Sequence, residues 1–235
     1  MPPQRGYSFL RKKPQYGASI GSGVESVVRP VLNRKEKVVH KVFRLPWISQ
    51  HYYMGGNINY ISRLAHTYTI PIRDMQPPKK GRRGLQTVPR EHWEKISFLL
   101  AAHSANVAAE VKRLGIKTPK VFRPVSVKGE SGHFWVVEMS DLRRKDRVLV
   151  EGPAIYDIHK TIPNLPPSVQ REIAQKMSLL ESQITSSGFA YDDRHKRYGS
   201  WLVSINPKTN AYELIFTDAT NWRDLRTGPQ APKTS

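Results

Sequence analysis

Cysteine is absent from all 235 residues, so disulfides, thiolate metal sites and cysteine nucleophiles are excluded, and packing alone holds the core. Long apolar runs are missing too. None approaches the ~18 residues that cross a bilayer, and the opening Met-Pro-Pro-Gln-Arg has no apolar stretch of a secretory kind. The expected setting is cytosolic, or that of a chain exported unfolded by a machine that reads no cleavable signal. Acids are scarce: 19 Asp and Glu stand against 38 Lys and Arg, a formal charge of +19. Such a surplus favours polyanions such as nucleic acid, phospholipid head groups, acidic proteins or nucleoside triphosphates, and is silent about chemistry. Hydrophobic residues make up 38% of the chain, enough at this length for one domain or two small lobes sharing a cleft.

Composition divides the chain. Residues 1–16 are basic and proline-containing and read as a loose arm. From Gly17 to Phe43 a glycine-rich turn leads into valine-rich strands, with Pro30 suited to a strand edge. Residues 44–90 form an insert with a basic stretch toward its end, and Arg73 to Arg90 is a candidate substrate-choosing surface. Helical spacing of Trp93, Ile96, Leu100, Val107, Val111 and Leu114 predicts a helix from about Glu91 to Leu114, breakable near Ser104 to Asn106. Val121 to Val127 and Phe134 to Met139 read as a hairpin, giving about five strands in one antiparallel sheet. Asp141 to Arg147 is a charged connector. Val169, Ile173, Met177, Leu180 and Ile184 line one face of a helix from Ser168 to Ser187, stopped by Gly188. Strands follow at Trp201 to Ile205 and Tyr212 to Thr217, and the last dozen residues read as a tail.

Three motifs fall on this order. Ile20-Gly21-Ser22-Gly23-Val24-Glu25-Ser26-Val27-Val28 could let backbone approach a triphosphate, and equally suits an ordinary hairpin turn. Val38-Val39-His40-Lys41-Val42 places one lysine amid apolar strand neighbours, where its ammonium could meet phosphates if a helix carboxylate held it; Glu110 is the first choice and Glu94 the second. Gly188 to His195 carries Asp192 and Asp193, and Leu214 to Ala219 ends an apolar strand on Asp218. Carboxylates at two strand ends can divide the work, one accepting a hydroxyl proton and the other holding magnesium, or they can merely cap turns.

In that order the motifs resemble those of the protein-kinase-like phosphotransferases over residues 17–222. Gly21-Ser22-Gly23 with Val28 looks like the glycine-rich loop, and Val38 to Lys41 like the Val-Ala-Ile-Lys strand. His133 to Ser140 is similar to the strand leading into the adenine-holding hinge, which implies that Glu138 and Met139 lie at the base. The resemblance implies Asp193 as catalytic aspartate and Asp218 as magnesium ligand. Departures are plain: Ser26 replaces the third glycine, Ala219-Thr220 stands where Phe-Gly is usual, and the loop asparagine falls on Tyr198, or on Ser200 if two residues are inserted. Only residues 219–235 follow Asp218, too few for an activation segment.

The resemblance implies an α+β, two-lobed fold, with an N-lobe at 17–140 (five-stranded sheet plus helix, insert at 44–90), a truncated, mostly helical C-lobe at 141–222, and a tail at 223–235. Such shortened kinases look like the minimal kinases that bacteria inject as effectors. That implies a monomeric, ATP- and Mg2+-dependent serine/threonine kinase acting on a host protein. A second reading is a catalytically inactive kinase-like scaffold whose basic surface binds nucleic acid, with Trp47, Tyr52 and Tyr53 as candidate stacking faces. A small cationic acceptor ranks last, because its cleft needs acids that this chain lacks.

Overall fold

A computed structural model describes residues 8–10, 13–22, 26–43, 93–129, 132–191, 198–220 and 222–226. The insert at 44–90 therefore lies outside the described residues, as do Gly23 and Asp193. The fold is α+β, with antiparallel sheets and few helices. It divides into two compact units. The first comprises residues up to Ala105 together with Lys120–Asp141, and the second comprises Asn106–Pro119 and everything from Leu142 onward. Among the described residues no helix is long and apolar enough to cross a membrane.

The first unit is a six-stranded sheet. Its strands are β1 (Ser8–Phe9), β2 (Gly21–Ser22), β3 (Ser26–Pro30), β4 (Val38–Phe43), β5 (Phe122–Gly129) and β6 (Gly132–Ser140), in the order β1-β5-β6-β4-β3-β2. All pairs are antiparallel except β1 with β5. Within the stretch expected as a loose arm, described residues are paired: β1 extends the sheet, Leu32 N–H donates to the Gln15 carbonyl at 2.8 Å, and just past it Gly17 N–H donates to that of Pro30 at 3.0 Å. Pro30 ends β3, beyond the β2 ladder, where its missing N–H breaks nothing.

One face of this sheet carries Val39, Phe43, Trp135, Val137 and Met139, packed with Ile96, Leu100 and Ala101 of helix α1 (Trp93–Arg113). The other face buries Val125, Val127 and Val136 against Leu10, Val42 and Phe134. Helix α1 runs unbroken through Ser104 to Asn106. Their weaker helix propensity, a fraction of a kcal/mol each, is outweighed by burial of Leu100 and Ala101 on one side and Val107 and Val111 on the other. Its last turns, from Asn106, belong to the second unit.

That unit was expected to be mostly helical, yet strands supply much of it. They are β7 (Val148–Glu151), β8 (Phe189–Tyr191), β9 (Trp201–Ile205), β10 (Tyr212–Phe216) and β11 (Trp222–Asp224), accompanied by the 3-10 segment Gly152–Lys160 and helix α2 (Pro167–Ser186). The sheets run β10-β9-β7 and β11-β8. Helix α2 ends where Gly188 adopts φ +95°, a conformation costly for a side chain. Its apolar stripe, Ile173, Met177 and Ile184, is fully buried among Trp201, Phe216 and Trp222. The Phe216 ring meets Trp201 edge-on at 5.5 Å and Trp222 at 6.0 Å between centroids, favoured aromatic geometries. Trp222–Asp224 is therefore a paired strand rather than the start of a tail, and Leu225 N–H still donates to the Gly188 carbonyl at 2.8 Å.

Candidate active site

The site residues fall into two sets, one in each unit. In the first unit the registers align Gly21 with Val28, Val28 with Lys41, and Lys41 with Val137. Residues directly opposed in an antiparallel ladder share a face, so this row runs across four strands on the side covered by α1. The Lys41 side chain is thus buried, with the residue 5% exposed, and its ammonium lies 6.0 Å from the centre of the Phe43 ring. The side chains of Val28 and Met139 lie on the same face. Ser22 pairs with Val27 in the ladder.

Strand alternation turns His40 to the opposite face. There a row of Arg29, His40, Glu138 and Arg123 crosses β3, β4, β6 and β5. Glu138 is the hub. It accepts from His40 Nε2 at 3.2 Å, from Arg34 Nη2 at 3.0 Å and from Arg123 Nη2 at 2.7 Å. Tyr16 completes the chain, its hydroxyl 2.9 Å from His40 Nδ1. With the ring neutral, Nε2–H donates to the carboxylate and Nδ1 accepts from the phenol. Burial pushes the Glu138 carboxyl upward, but the His40 and Arg123 hydrogen bonds and the Arg34 charge overcome it and hold the group at about 2. Burial likewise pushes the Tyr16 phenol up.

The sheet accounts for the backbone of Glu138 and Met139, the two residues expected at the base. Both sit in ladders on either side of β6, opposite His40 and Arg123 and opposite Val39 and Phe122, so their peptide groups are already bonded within the sheet. Even beyond them, Ser140 N–H donates to the Val121 carbonyl at 3.1 Å and Asp141 N–H to that of Lys37 at 2.9 Å. Glu138 is the centre of this ion network, and the Met139 side chain is part of the buried cluster under α1.

In the second unit Asp218 follows β10 and is half-buried. The Ser200 carbonyl accepts both Thr217 N–H at 2.8 Å and Asp218 N–H at 3.2 Å, and Asp218 Oδ1 accepts Thr220 N–H at 3.0 Å. The carboxylate therefore heads a tight turn anchored on β9. Ser200 and Asp218, the two residues expected at the metal, are joined through the Ser200 carbonyl, while the Ser200 side chain points elsewhere. Its hydroxyl, in a residue 2% exposed, accepts the Trp222 indole N–H at 2.7 Å, turning it into the core rather than toward a second metal. Asp192 and Asp193 lie outside the described residues. Their segment leaves β8 at Tyr191, whose ring sits 5.1 Å from Trp222. Past it, Tyr198 adopts φ +67° and stacks on Tyr156 at 6.0 Å. Among the described residues no group of three or more acids and histidines could hold a metal ion.

Glu110 also departs from expectation. One of its oxygens accepts from Arg113 and the other from Arg226 Nη1, the latter at 3.1 Å. Arg226 in turn forks onto Asp224 at 2.8 and 2.9 Å and stacks 4.5 Å above the Phe189 ring. Both Glu110 oxygens thus serve arginines of the second unit, pinning the end of β11 to the last turns of α1. Chain separation hid this pairing, because Glu110 and Arg226 are 116 positions apart.

No family model and no curated protein matches the chain. Among solved structures it is similar to the proinflammatory kinase CtkA of Helicobacter pylori, at 15% identity and a TM-score of 0.40. That overlap covers 93% of this chain, while the chain spans 61% of that structure.

Proposed function

We propose that the chain is an ATP-dependent phosphotransferase of the protein-kinase-like kind, transferring the γ-phosphate to a serine or threonine hydroxyl of a protein. The observation that carries this reading is the setting of Lys41: a residue 5% exposed, in one sheet row with Gly21 and Val28. Burial on the sheet face shared with Gly21 and Val28 sets Lys41 where phosphates under that turn would lie. In this reading Lys41 binds the α- and β-phosphates, and the turn containing Gly21, Ser22 and Gly23 covers them. Val28 and the Met139 side chain bracket the base. Glu94, the other acid of α1, belongs to the same unit as Lys41 and takes the anchoring role that Glu110 does not.

Asp193 orients the acceptor hydroxyl and accepts its proton, and Asp218 holds magnesium. Asp218 would hold Mg2+ in this reading, and the ion would supply positive charge that offsets the charge of the phosphates. The anchoring of Asp218 on the Ser200 carbonyl supports its part, since a ligand fixed by backbone needs little reorganisation. In this reading the acceptor is a host protein, and the chain works as a monomeric effector in a host cytosol. Incubation with labelled ATP and Mg2+, alone and with a eukaryotic lysate, tests the reading. Autophosphorylation or one dominant labelled band is expected from the intact chain and not from the Lys41→Met or Asp218→Asn variants.

One observation favours a second reading, an inactive scaffold. The Ser200 hydroxyl is committed to Trp222, so the place of the usual second metal ligand is filled by a core side chain. Steeply salt-dependent RNA binding with no nucleotide binding is the result that selects it.

A further inference from the structure

The charged connector and the Lys117 loop of the second unit meet around one glutamate. Arg147 N–H donates to the Arg144 carbonyl at 3.4 Å, closing a turn, and Arg147 Nη1 reaches the Ser204 carbonyl on β9 at 3.3 Å. Ser204 is the register partner of Glu213 on β10. From the other side Lys117 Nζ lies 2.8 Å from Glu213 Oε2, with its own carbonyl accepting Phe216 N–H at 2.8 Å. The Lys117 hydrogen bond, aided by the charges of Arg147 and Arg144, holds the Glu213 carboxyl below its ordinary value. Lys117 and the connector's Arg143, Arg144, Lys145 and Arg147 stand against Glu213, Asp141 and Asp146, five positive charges against three negative.

Arg147 is only part-used. Its Nη1 is anchored, yet its Nε is shielded from solvent with no acceptor among the described residues. Because Nε is shielded, this guanidinium, already held by its backbone contact, can meet a carboxylate only through its Nη end, and little entropy is lost when one arrives. Arg144 and Lys145 beside it are exposed. We propose that this surface, formed by Lys117, Arg144, Lys145 and Arg147 around Glu213, docks an acidic segment of a partner polypeptide.

The alternative polyanion, nucleic acid, is less well matched. Single-stranded nucleic acid is bound by cations tracking a backbone and by aromatic faces that stack bases. Here the cations cluster about one carboxylate, and the neighbouring Tyr212 ring alternates to the other face, where its hydroxyl donates to Glu172 at 2.7 Å and Lys176 lies 5.4 Å from its centre. The proposal does not depend on nucleotide chemistry, so its test is run without ATP.

The test is fluorescence anisotropy of a short labelled poly-glutamate peptide with the full chain at low salt. Binding that R144E/K145E weakens about tenfold or more, while K160E/R171E leaves it within about twofold, is expected; the control pair is exposed and makes the same charge change. Equal loss in both pairs would show that net charge alone attracts the peptide and would overturn the proposal, as would no binding at all. A uridine-rich RNA that binds more tightly than the peptide, and is lost in R144E/K145E, would assign the surface to nucleic acid instead. R147Q, checked for native circular dichroism, weakens the peptide if the arginine fork matters; unchanged affinity refutes its part.

Discussion

Replacing Glu138 by glutamine removes the charge at the centre of the Tyr16, His40, Arg34 and Arg123 network while keeping its shape. The folded carboxyl sits at about 2 rather than 4.5. At ~1.4 kcal/mol per pK unit this is about 3 kcal/mol of stability for the first unit. Because the folded value is depressed, the contribution is complete above the unfolded pKa and is lost as pH falls from about 4.5 through 2. Glu138→Gln mimics the protonated state, so the variant is destabilised by about 3 kcal/mol at neutral pH and converges on the native protein near pH 2. Arg34 and Arg123, 34% and 43% exposed, can turn to water, which keeps the loss from growing further. Two units need not unfold as one, so the assay is hydrogen exchange of the β4 and β6 amides in urea at a series of pH values. A variant within about 1 kcal/mol of the native chain at pH 7, or a gap that persists undiminished to pH 2, would refute the assigned role.

Other perturbations follow from single contacts. Ser200→Ala leaves the Trp222 indole N–H without its acceptor, costing about 1–3 kcal/mol in thermal or urea unfolding; magnesium dependence should not change, because the hydroxyl faces the core. Gly152→Ala places a methyl 2.2 Å from the Tyr198 carbonyl oxygen, so loss of at least ~2 kcal/mol is expected, and a neutral result would show that the 152–198 packing is misplaced. Glu94→Gln lowers ATP affinity about tenfold in an equilibrium binding assay if Glu94 anchors Lys41, whereas Glu110→Gln leaves affinity unchanged and loosens the β11 segment in hydrogen exchange.

Local patterns in the chain made several elements readable. The four-and-three spacing from Val169 to Ile184 and the Gly188 stop gave α2 to within a residue, and alternation placed Lys41 and His40 on opposite faces of β4. What could not be read depends on distant partners. Glu138 looks like any strand glutamate until β4 and β5 bring His40 and Arg123 beside it, and Glu110 looks available until Arg226 arrives from the far end of the chain. β8 and β11 are three residues each and stabilise only as a pair, so neither carries a strand signal of its own. Ser200 was reached by counting along a loop; its orientation is decided by a tryptophan on another strand.

In the proposed function Lys41 and Asp218 serve one bound nucleotide, and calorimetric titration of ATP with and without Mg2+ tests this most directly. The intact chain should bind ATP more tightly with the metal, Lys41→Met should weaken binding in both conditions, and Asp218→Asn should remove only the gain from Mg2+. Equal affinities for all three proteins, or no ATP binding by the intact chain, would contradict it.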